Sequence, residues 1–203
     1  MKSNVIKAGA LCVVMLLTIV TGCKKDFDPD KPKNGQEVEL FLDHYQDVGN
    51  QMAYLLPDKI KSPYGLQGFN ERELGYTYRV KAKVVITKEP LQDGPDRWFE
   101  FERVVSKDLY TGTEPFQVSL ISNFVPGGPG LAIGKRDDKY YYLSYEFKPA
   151  NDAVKARIEE VLALRQRIYT DPAYGHSVSI KATVTHATDN RANTYLVQGI
   201  EVK

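Results

Sequence analysis

Three histidines are the residues of this chain best suited to hold a metal or move a proton: His44, His176 and His186. A zinc site needs converging ligands, such as two histidines one helical turn apart, and no two of these have that spacing. A single strand from His176 to His186 would hold them about 33 Å apart, at about 3.3 Å per residue. His44 is able to approach either one through folding. We predict solvated histidines at strand ends and no metal site.

A glycine-rich run at residues 127–135 invites comparison with a phosphate-binding loop. Such a loop needs a glycine five residues before Gly134, and a serine or threonine after Lys135. Pro129 and Arg136 occupy those two positions. The run therefore predicts a mobile loop, and the chain implies no nucleotide and no other cofactor.

Nucleophiles and paired carboxylates give no specific signal. No serine lies in a Gly-x-Ser-x-Gly elbow. Acids for glycoside cleavage are present at Glu100, Glu102, Glu146, Asp137 and Asp138, but a sequence does not report the separation that this mechanism requires. Catalysis is the less favoured interpretation, and we assign no catalytic residue.

Aromatic residues supply the candidate binding surface, which consists of Trp98, Tyr140 and Tyr142. If residues 140–147 form one strand, its core side carries Tyr141, Leu143, Tyr145 and Phe147. Tyr140 and Tyr142 then face outward, and with Trp98 they form a flat platform for a sugar or a peptide. The alternative is that these tyrosines cover a neighbouring strand, helix or loop.

Cys23 is the residue with the clearest predicted modification. Lys2 and Lys7 precede an apolar segment that ends in Val20-Thr21-Gly22-Cys23. A positive start, a short apolar core and small residues are typical of a secretory signal peptide, and the apolar stretch is too short to span a membrane. The last four residues look like a bacterial lipobox. We expect residues 1–22 to be removed and Cys23 to be lipidated, which predicts membrane attachment.

The composition narrows the class of partner. Of the 203 residues, 181 remain after the leader, enough for one large or two small domains. The whole chain has 27 Lys and Arg against 26 Asp and Glu, and two of the lysines leave with the leader. A nearly neutral surface gives no reason to expect nucleic acid. Cys12 also leaves, so the remaining chain has no pair of cysteines for a disulfide.

Residues 23–36 are predicted to be the lipidated cysteine followed by a flexible tether. The segment after Cys23 is charged, contains prolines and has few branched apolar residues, so it buries too little surface to order itself. Lys24 stands where an aspartate commonly retains such proteins in the inner membrane. We therefore expect an outer-membrane lipoprotein that faces the periplasm or the outside.

The elements that must position these residues are mostly strands. Residues 76–87 alternate strictly between apolar and polar side chains, and Trp98 to Lys107 returns alongside them. Residues 38–42 also alternate, although Phe41, Tyr45, Val48 and Met52 fit a helix as the competing interpretation. Further strands are expected in residues 116–124, 177–185 and 194–202.

One helix is predicted over residues 152–169, with Asn151 as its N-cap and Asp171-Pro172 as its end. The fold class is therefore α+β and β-rich, with antiparallel hairpins in a small barrel or sandwich. We divide the folded part into a first β unit, residues 37–110, and a second β unit with the helix, residues 111–203. Residues 75–84 have an echo at residues 175–184, which leaves a duplicated hairpin unit as an open alternative.

Residues 37–107 carry a resemblance to a known family. The segments Val38 to His44, Ala53 to Leu56, Gly75 to Val84 and Val104 to Lys107 occur in a familiar order. This order resembles a domain of unknown function in bacterial lipoproteins that often accompanies META-type domains. Members often have cysteines in the first hairpin, which this chain lacks. The family has no assigned catalytic residues, so the resemblance implies none here.

These observations favour a lipid-anchored cell-envelope protein that binds a polymer or another envelope protein without catalysis. One alternative is a small inhibitor of a secreted hydrolase that presents residues 126–136 to its target. A second alternative is a hydrolase whose site has no recognisable motif.

Overall fold

The computed structural model describes residues 27–88, 94–124 and 128–203 of the chain. Within these ranges the chain forms two six-stranded sheets, a two-stranded ribbon and three consecutive helices, which confirms the β-rich α+β class. No helix in the described ranges is long and apolar enough to cross a bilayer. The predicted leader, residues 1–22, and Cys23 lie outside the described residues.

The first sheet comes from the N-terminal half. Its strands are β1 (Glu37–Leu42), β2 (Ala53–Leu55), β3 (Ile60–Lys61), β4 (Leu66–Gln67), β5 (Tyr76–Ile86) and β6 (Arg97–Leu109). They lie in the order β3-β2-β1-β5-β6-β4, and only the pair β4 and β6 is parallel. Residues 37–42 are a strand and not a helix, because the period of two buries alternate residues against the core.

Alternation also determines how this sheet packs. Tyr78, Val80, Ala82 and Val84 of β5 are buried on one face together with Phe99 of β6, as the sequence pattern predicts. The polar residues between them face away from this core. The outward side of β1 and β5 is therefore charged, and it forms the candidate site described below.

The second sheet comes from the C-terminal half. The remaining strands are β7 (Phe116–Ser119), β8 (Ile121–Phe124), β9 (Gly128–Leu131), β10 (Ile133–Arg136), β11 (Lys139–Tyr142), β12 (Tyr145–Pro149), β13 (Ile180–His186) and β14 (Thr194–Val202). The sheet has the order β10-β11-β12-β14-β13-β7, and β8 pairs with β9 as the ribbon. Strands β12 and β14 are parallel, and three helices connect β12 to β13.

The predicted helix is divided into two, and a third follows. They are α1 (Asp152–Ala163), α2 (Arg165–Thr170) and α3 (Pro172–Ser177). Asn151 caps α1 as predicted, since its Oδ1 accepts from the N–H of Val154 at 3.0 Å. The predicted apolar stripe packs into the second core through Val154, Ile158, Val161 and Ile168.

The interpretation of residues 140–147 as one strand is wrong. A two-residue turn at Leu143 and Ser144 divides the segment into β11 and β12, and Leu143 adopts a positive φ of 55° there. Two-residue hairpins need such backbone angles, and leucine gives no sequence signal for them. The turn reverses the chain and shifts the alternation, so Tyr140 and Tyr142 face the core and Leu143 is exposed.

The N-terminal segment lies against the first sheet from residue 27 on. The Phe27 ring packs edge-on against Phe99, and the Tyr64 hydroxyl donates to the Pro29 carbonyl at 2.9 Å. Residues 35 and 36 also form backbone hydrogen bonds with β5. The flexible tether predicted for residues 23–36 is therefore held at its C-terminal part, because Phe27 and Tyr64 provide apolar surface that the tether interpretation left out.

The two halves place their echoed hairpins differently. In the first sheet β1 pairs with β5, the first hairpin strand, and runs antiparallel to it. In the second sheet β12 pairs with β14, the second hairpin strand, and runs parallel to it. Gly75 precedes a strand, whereas Gly175 lies within α3. The echo therefore covers alternating strand residues and not a shared topology.

Candidate functional site: a groove on the first sheet and a histidine pair between the sheets

A groove of about 550 Å³ opens at β1, β2 and β5 of the first sheet. This volume falls within the range of small-molecule sites. Its apolar walls come from residues near the sheet edge and from the N-terminal segment: Phe27, Phe41, Leu56 and Pro57. The groove is open to solvent on one side, which suits an extended ligand better than an enclosed small molecule.

Strand register places charges around the apolar floor. Glu39 lies opposite Lys81 and Phe41 lies opposite Arg79 in the β1–β5 pairing. All four belong to the outward set of their strands, because the alternate residues fill the core. The Lys59 ammonium lies 4.1 Å from the centre of the Phe41 ring, so a cation is held directly over the aromatic surface.

Not all of these charges are available to a ligand. The Arg79 guanidinium is paired with the Glu39 carboxylate, with Arg79 Nε 2.7 Å from Glu39 Oε1. Lys81 has no ion-pair partner among the residues that the structure describes. Glu37 is the other acid that lines the groove. After the internal pair is set aside, Lys59 and Lys81 face the single carboxylate of Glu37, which leaves a positive excess.

A second polar cluster lies between the two sheets. His44, just after β1, and His186, at the end of β13, are buried with Nδ1 and Nε2 2.8 Å apart. The Tyr110 ring stacks on His44 at 3.6 Å between centroids, and Phe116 contacts both imidazoles. The prediction of solvated histidines is wrong for this pair, although His176 is exposed as expected. Folding brings His44 to His186, one of the two approaches that the sequence left open.

The surroundings of the pair decide where its protons lie. His44 Nε2 is 3.7 Å from the Asp43 carboxylate, which favours a proton on that nitrogen. His44 Nδ1 is then an acceptor, and His186 Nε2–H donates to it. The remaining nitrogen, His186 Nδ1, is buried with no hydrogen-bond partner in the described residues, and a lone pair is easier to bury there than an N–H.

Both imidazoles resist protonation. Burial lowers the pKa of His186 to about 4, and the neighbouring His44 and Arg191 lower it further. Burial also lowers the pKa of His44, with Asp43 opposing this shift and Arg191 and Arg72 adding to it. The pair is therefore neutral at pH 7. Within the described residues no three His, Cys, Asp or Glu side chains form a metal site.

The loop of residues 43–51 joins the halves. Asp47 Oδ1 accepts from the N–H groups of Val48 and Ser119 and from the Tyr142 hydroxyl, at 2.9, 2.7 and 2.9 Å. Arg72 donates to the carbonyls of Asp43, Tyr45 and Gln51 at 2.8, 2.8 and 2.5 Å. Burial lowers the pKa of Arg72 and, together with Asp47, raises the pKa of Tyr142.

The structure does not bring the sequence-predicted platform together. Tyr140 is 3% exposed and donates to Glu159 at 2.6 Å, and Tyr142 is fully buried. Trp98 is half-buried in the other sheet, where its Nε1 donates to Glu100 at 3.0 Å. The outward-facing prediction for the two tyrosines is therefore wrong, for the turn at residues 143–144 described above. The lipidation site Cys23 lies outside the described residues.

The described part of the glycine-rich run is not a loop. Residues 128–131 and 133–136 form β9 and β10, and Pro129 is buried against α3. A Cβ on Gly175 would lie 2.5 Å from Pro129 Cγ, so glycine permits this close approach. The paired residues Asp137 and Asp138, both at positive φ, make the turn into β11.

No family model, curated protein or solved structure gives a significant match to this chain. The resemblance of residues 37–107 to a lipoprotein domain of unknown function therefore stays a prediction. The groove was missed in the sequence, although its signal was present. The outward residues of β1 and β5 combine an aromatic ring with charges of both signs.

Proposed function

We propose that this protein is a lipid-anchored cell-envelope module that binds an acidic polymer, without catalysis, in the groove at β1, β2 and β5. The groove itself carries the proposal, because it joins an open apolar floor to two cations that have no structural ion pair. The lipobox at Cys23 supplies the anchor, and the outer membrane is the expected location.

The charge arrangement supports an acidic ligand. Lys59 over Phe41 and Lys81 on the neighbouring strand are both positioned to meet carboxylates, for example those of a uronic acid polymer. Phe41 offers apolar contact to the body of a sugar residue or chain segment. The acid Glu39 is occupied by Arg79, so it orients that cation rather than acting on a bond.

The experiment is a titration of the chain from residue 23 onward, with Cys23→Ser, with polygalacturonate and with a neutral polysaccharide of similar length. We expect the acidic polymer to bind and the neutral one to bind at least tenfold more weakly. Phe41→Ala and Lys81→Glu should each weaken binding about tenfold, in line with a central contact residue. Added salt should weaken it further.

Matched controls separate the groove from general surface charge. Tyr169→Ala removes an exposed aromatic residue on α2, and Lys181→Glu reverses an exposed lysine on β13. Neither should change the affinity more than twofold. Equal weakening by Lys81→Glu and Lys181→Glu would contradict the proposal, as would equal binding of both polymers.

A further inference from the structure

The tip of the β2–β3 hairpin is an exposed amphipathic point on the first sheet. Ile60 is 59% exposed, the largest value for an aliphatic residue among those described. Lys59 and Lys61 on either side are exposed as well, and Lys59 adopts a positive φ of 52° as the turn enters β3. Asp58 is the one acid in the same turn. An apolar side chain between two lysines has the composition of a membrane-interface contact.

The N-terminal segment arrives beside this hairpin. Phe27 and Lys59 line the same groove. The Tyr64 hydroxyl, three residues after Lys61, holds the Pro29 carbonyl at 2.9 Å. The first described residues are therefore placed at the β2–β3 side of the sheet.

The short connection to Cys23 limits how far the hairpin side lies from the anchor. Four residues separate Cys23 from Phe27, and a fully extended chain spans at most about 14 Å over that distance, at about 3.3–3.6 Å per residue. An anchor on Cys23 therefore keeps the β2–β3 side of the first sheet near the bilayer.

We propose that the tip of the β2–β3 hairpin contacts the surface of the bilayer that holds Cys23. Ile60 lies between lipid headgroups, and Lys59 and Lys61 lie beside lipid phosphates. This inference rests on the anchor of the proposed function, and it adds an orientation to it. The groove then opens next to the membrane surface and faces along it.

The chemistry of the tip fits an anionic bilayer. Each lysine near such a surface is attracted by the negative surface potential, which decays within a Debye length. The tip carries two lysines against Asp58, so the attraction is modest and depends on the anchor for proximity. The contact therefore orients an attached protein and does not recruit a free one.

A depth-dependent quenching experiment tests this orientation directly. Cys23 is the sole cysteine from residue 23 onward, so a maleimide lipid couples the chain to vesicles at the predicted anchor position, whether or not cells lipidate it. Trp98→Phe removes the single native tryptophan. Ile60→Trp then places the probe at the tip, and brominated phospholipid in anionic vesicles serves as quencher.

Leu109→Trp in the same background is the matched control. Leu109 is also an exposed apolar residue, at 53%, but it lies on β6, four strands from β3 in the sheet. We expect quenching at position 60 to exceed that at position 109 at least twofold. Lys59→Glu with Lys61→Glu should remove most of the difference, while urea unfolding confirms that each variant remains folded.

Equal quenching at the two positions, or none at position 60, would overturn the orientation. That result is distinguishable from failure of the proposed function, because the experiment contains no polymer and supplies the lipid chemically. Loss of polymer binding without loss of quenching would contradict only the groove, and loss of lipidation in cells would contradict only the natural anchor.

Discussion

His44 Nδ1 and His186 Nε2 lie 2.8 Å apart, although 142 residues separate them in the chain. One imidazole follows the first strand of the first sheet, and the other ends a strand of the second. The contact is therefore part of the junction between the two halves. Its chemistry makes the junction sensitive to protons, because the second proton on the facing nitrogens would set two N–H groups against each other.

Stability should fall as the pH decreases from about 6.5 to about 4. The folded pKa of His186 is lowered to about 4 and that of His44 is also lowered, whereas unfolded histidines titrate near about 6.5. Below pH 6.5 the unfolded state binds protons that the folded state does not, so the free energy of unfolding decreases until the folded pair titrates as well. Urea unfolding at pH 7.5, 5.5 and 4.5 should show a loss of about 2 kcal/mol.

Two variants assign this pH dependence to the buried pair. His186→Phe should reduce the slope of stability against pH between 6.5 and 4, whatever its effect on stability at pH 7.5. His176→Gln changes an exposed histidine and should leave the slope as it is. An unchanged slope in His186→Phe would show that other groups control the acid response.

Asp47→Ala should destabilise the protein by about 2–4 kcal/mol, because it leaves the N–H of Ser119, the N–H of Val48 and the buried Tyr142 hydroxyl without their acceptor. Tyr142→Phe removes only one of these hydrogen bonds and should cost about 1 kcal/mol. Asp58→Ala is the control, an exposed aspartate whose loss should stay within about 0.5 kcal/mol. The measurement is urea unfolding at pH 7.5, and similar losses for Asp47→Ala and Asp58→Ala would contradict the prediction.

Arg72→Ala should loosen the loop of residues 43–51. The buried guanidinium holds three carbonyls of this loop, and their loss should cost about 2–3 kcal/mol. Amide hydrogen exchange should show faster exchange for residues 43–51 than for β13. Arg103→Ala, at an exposed position on β6, should change neither stability nor exchange. Uniform exchange across the molecule in Arg72→Ala would mean that the arginine supports the whole fold rather than the loop.

Gly75→Ala should destabilise by about 1–3 kcal/mol. Gly75 has φ of +72°, and an added Cβ would lie 2.4 Å from Arg191 Cγ. Arg191 also donates to the Tyr110 carbonyl at 2.8 Å, so its displacement would disturb the ring that covers His44. Gly199→Ala is the matched control, since nothing lies within 4 Å of its added Cβ. Thermal unfolding should leave Gly199→Ala at or above the parent and lower Gly75→Ala by several degrees.

Much of the secondary structure was predictable because its signals are local. The alternation of residues 76–86 predicted β5 and its buried face, and Asn151 with the apolar spacing after it predicted the start of α1. Turns limited this approach. Leu143 at positive φ and the pair Asp137 and Asp138 reverse the chain without glycine or asparagine, and each missed turn changes which residues face the core.

The candidate site was less predictable than the strands. Phe41, Arg79 and Lys81 are visible in the sequence as outward residues of two strands, but their pairing depends on the β1–β5 register. The histidine pair has no sequence signal at all, since neither spacing nor neighbours relate His44 to His186. Only the docking of the two halves brings their nitrogens together and excludes water from them.

The sequence by itself determined the β-rich α+β class, the individual long strands and the helix start, because periodicity and capping act over a few residues. It also predicts the lipidated Cys23 and the outer-membrane location, which remain predictions. Only the tertiary structure decided that Tyr142 is buried, that the groove combines Phe41 with Lys59 and Lys81, and that His44 meets His186. These depend on turn geometry, strand register and contacts across 142 residues, which the local sequence pattern does not encode.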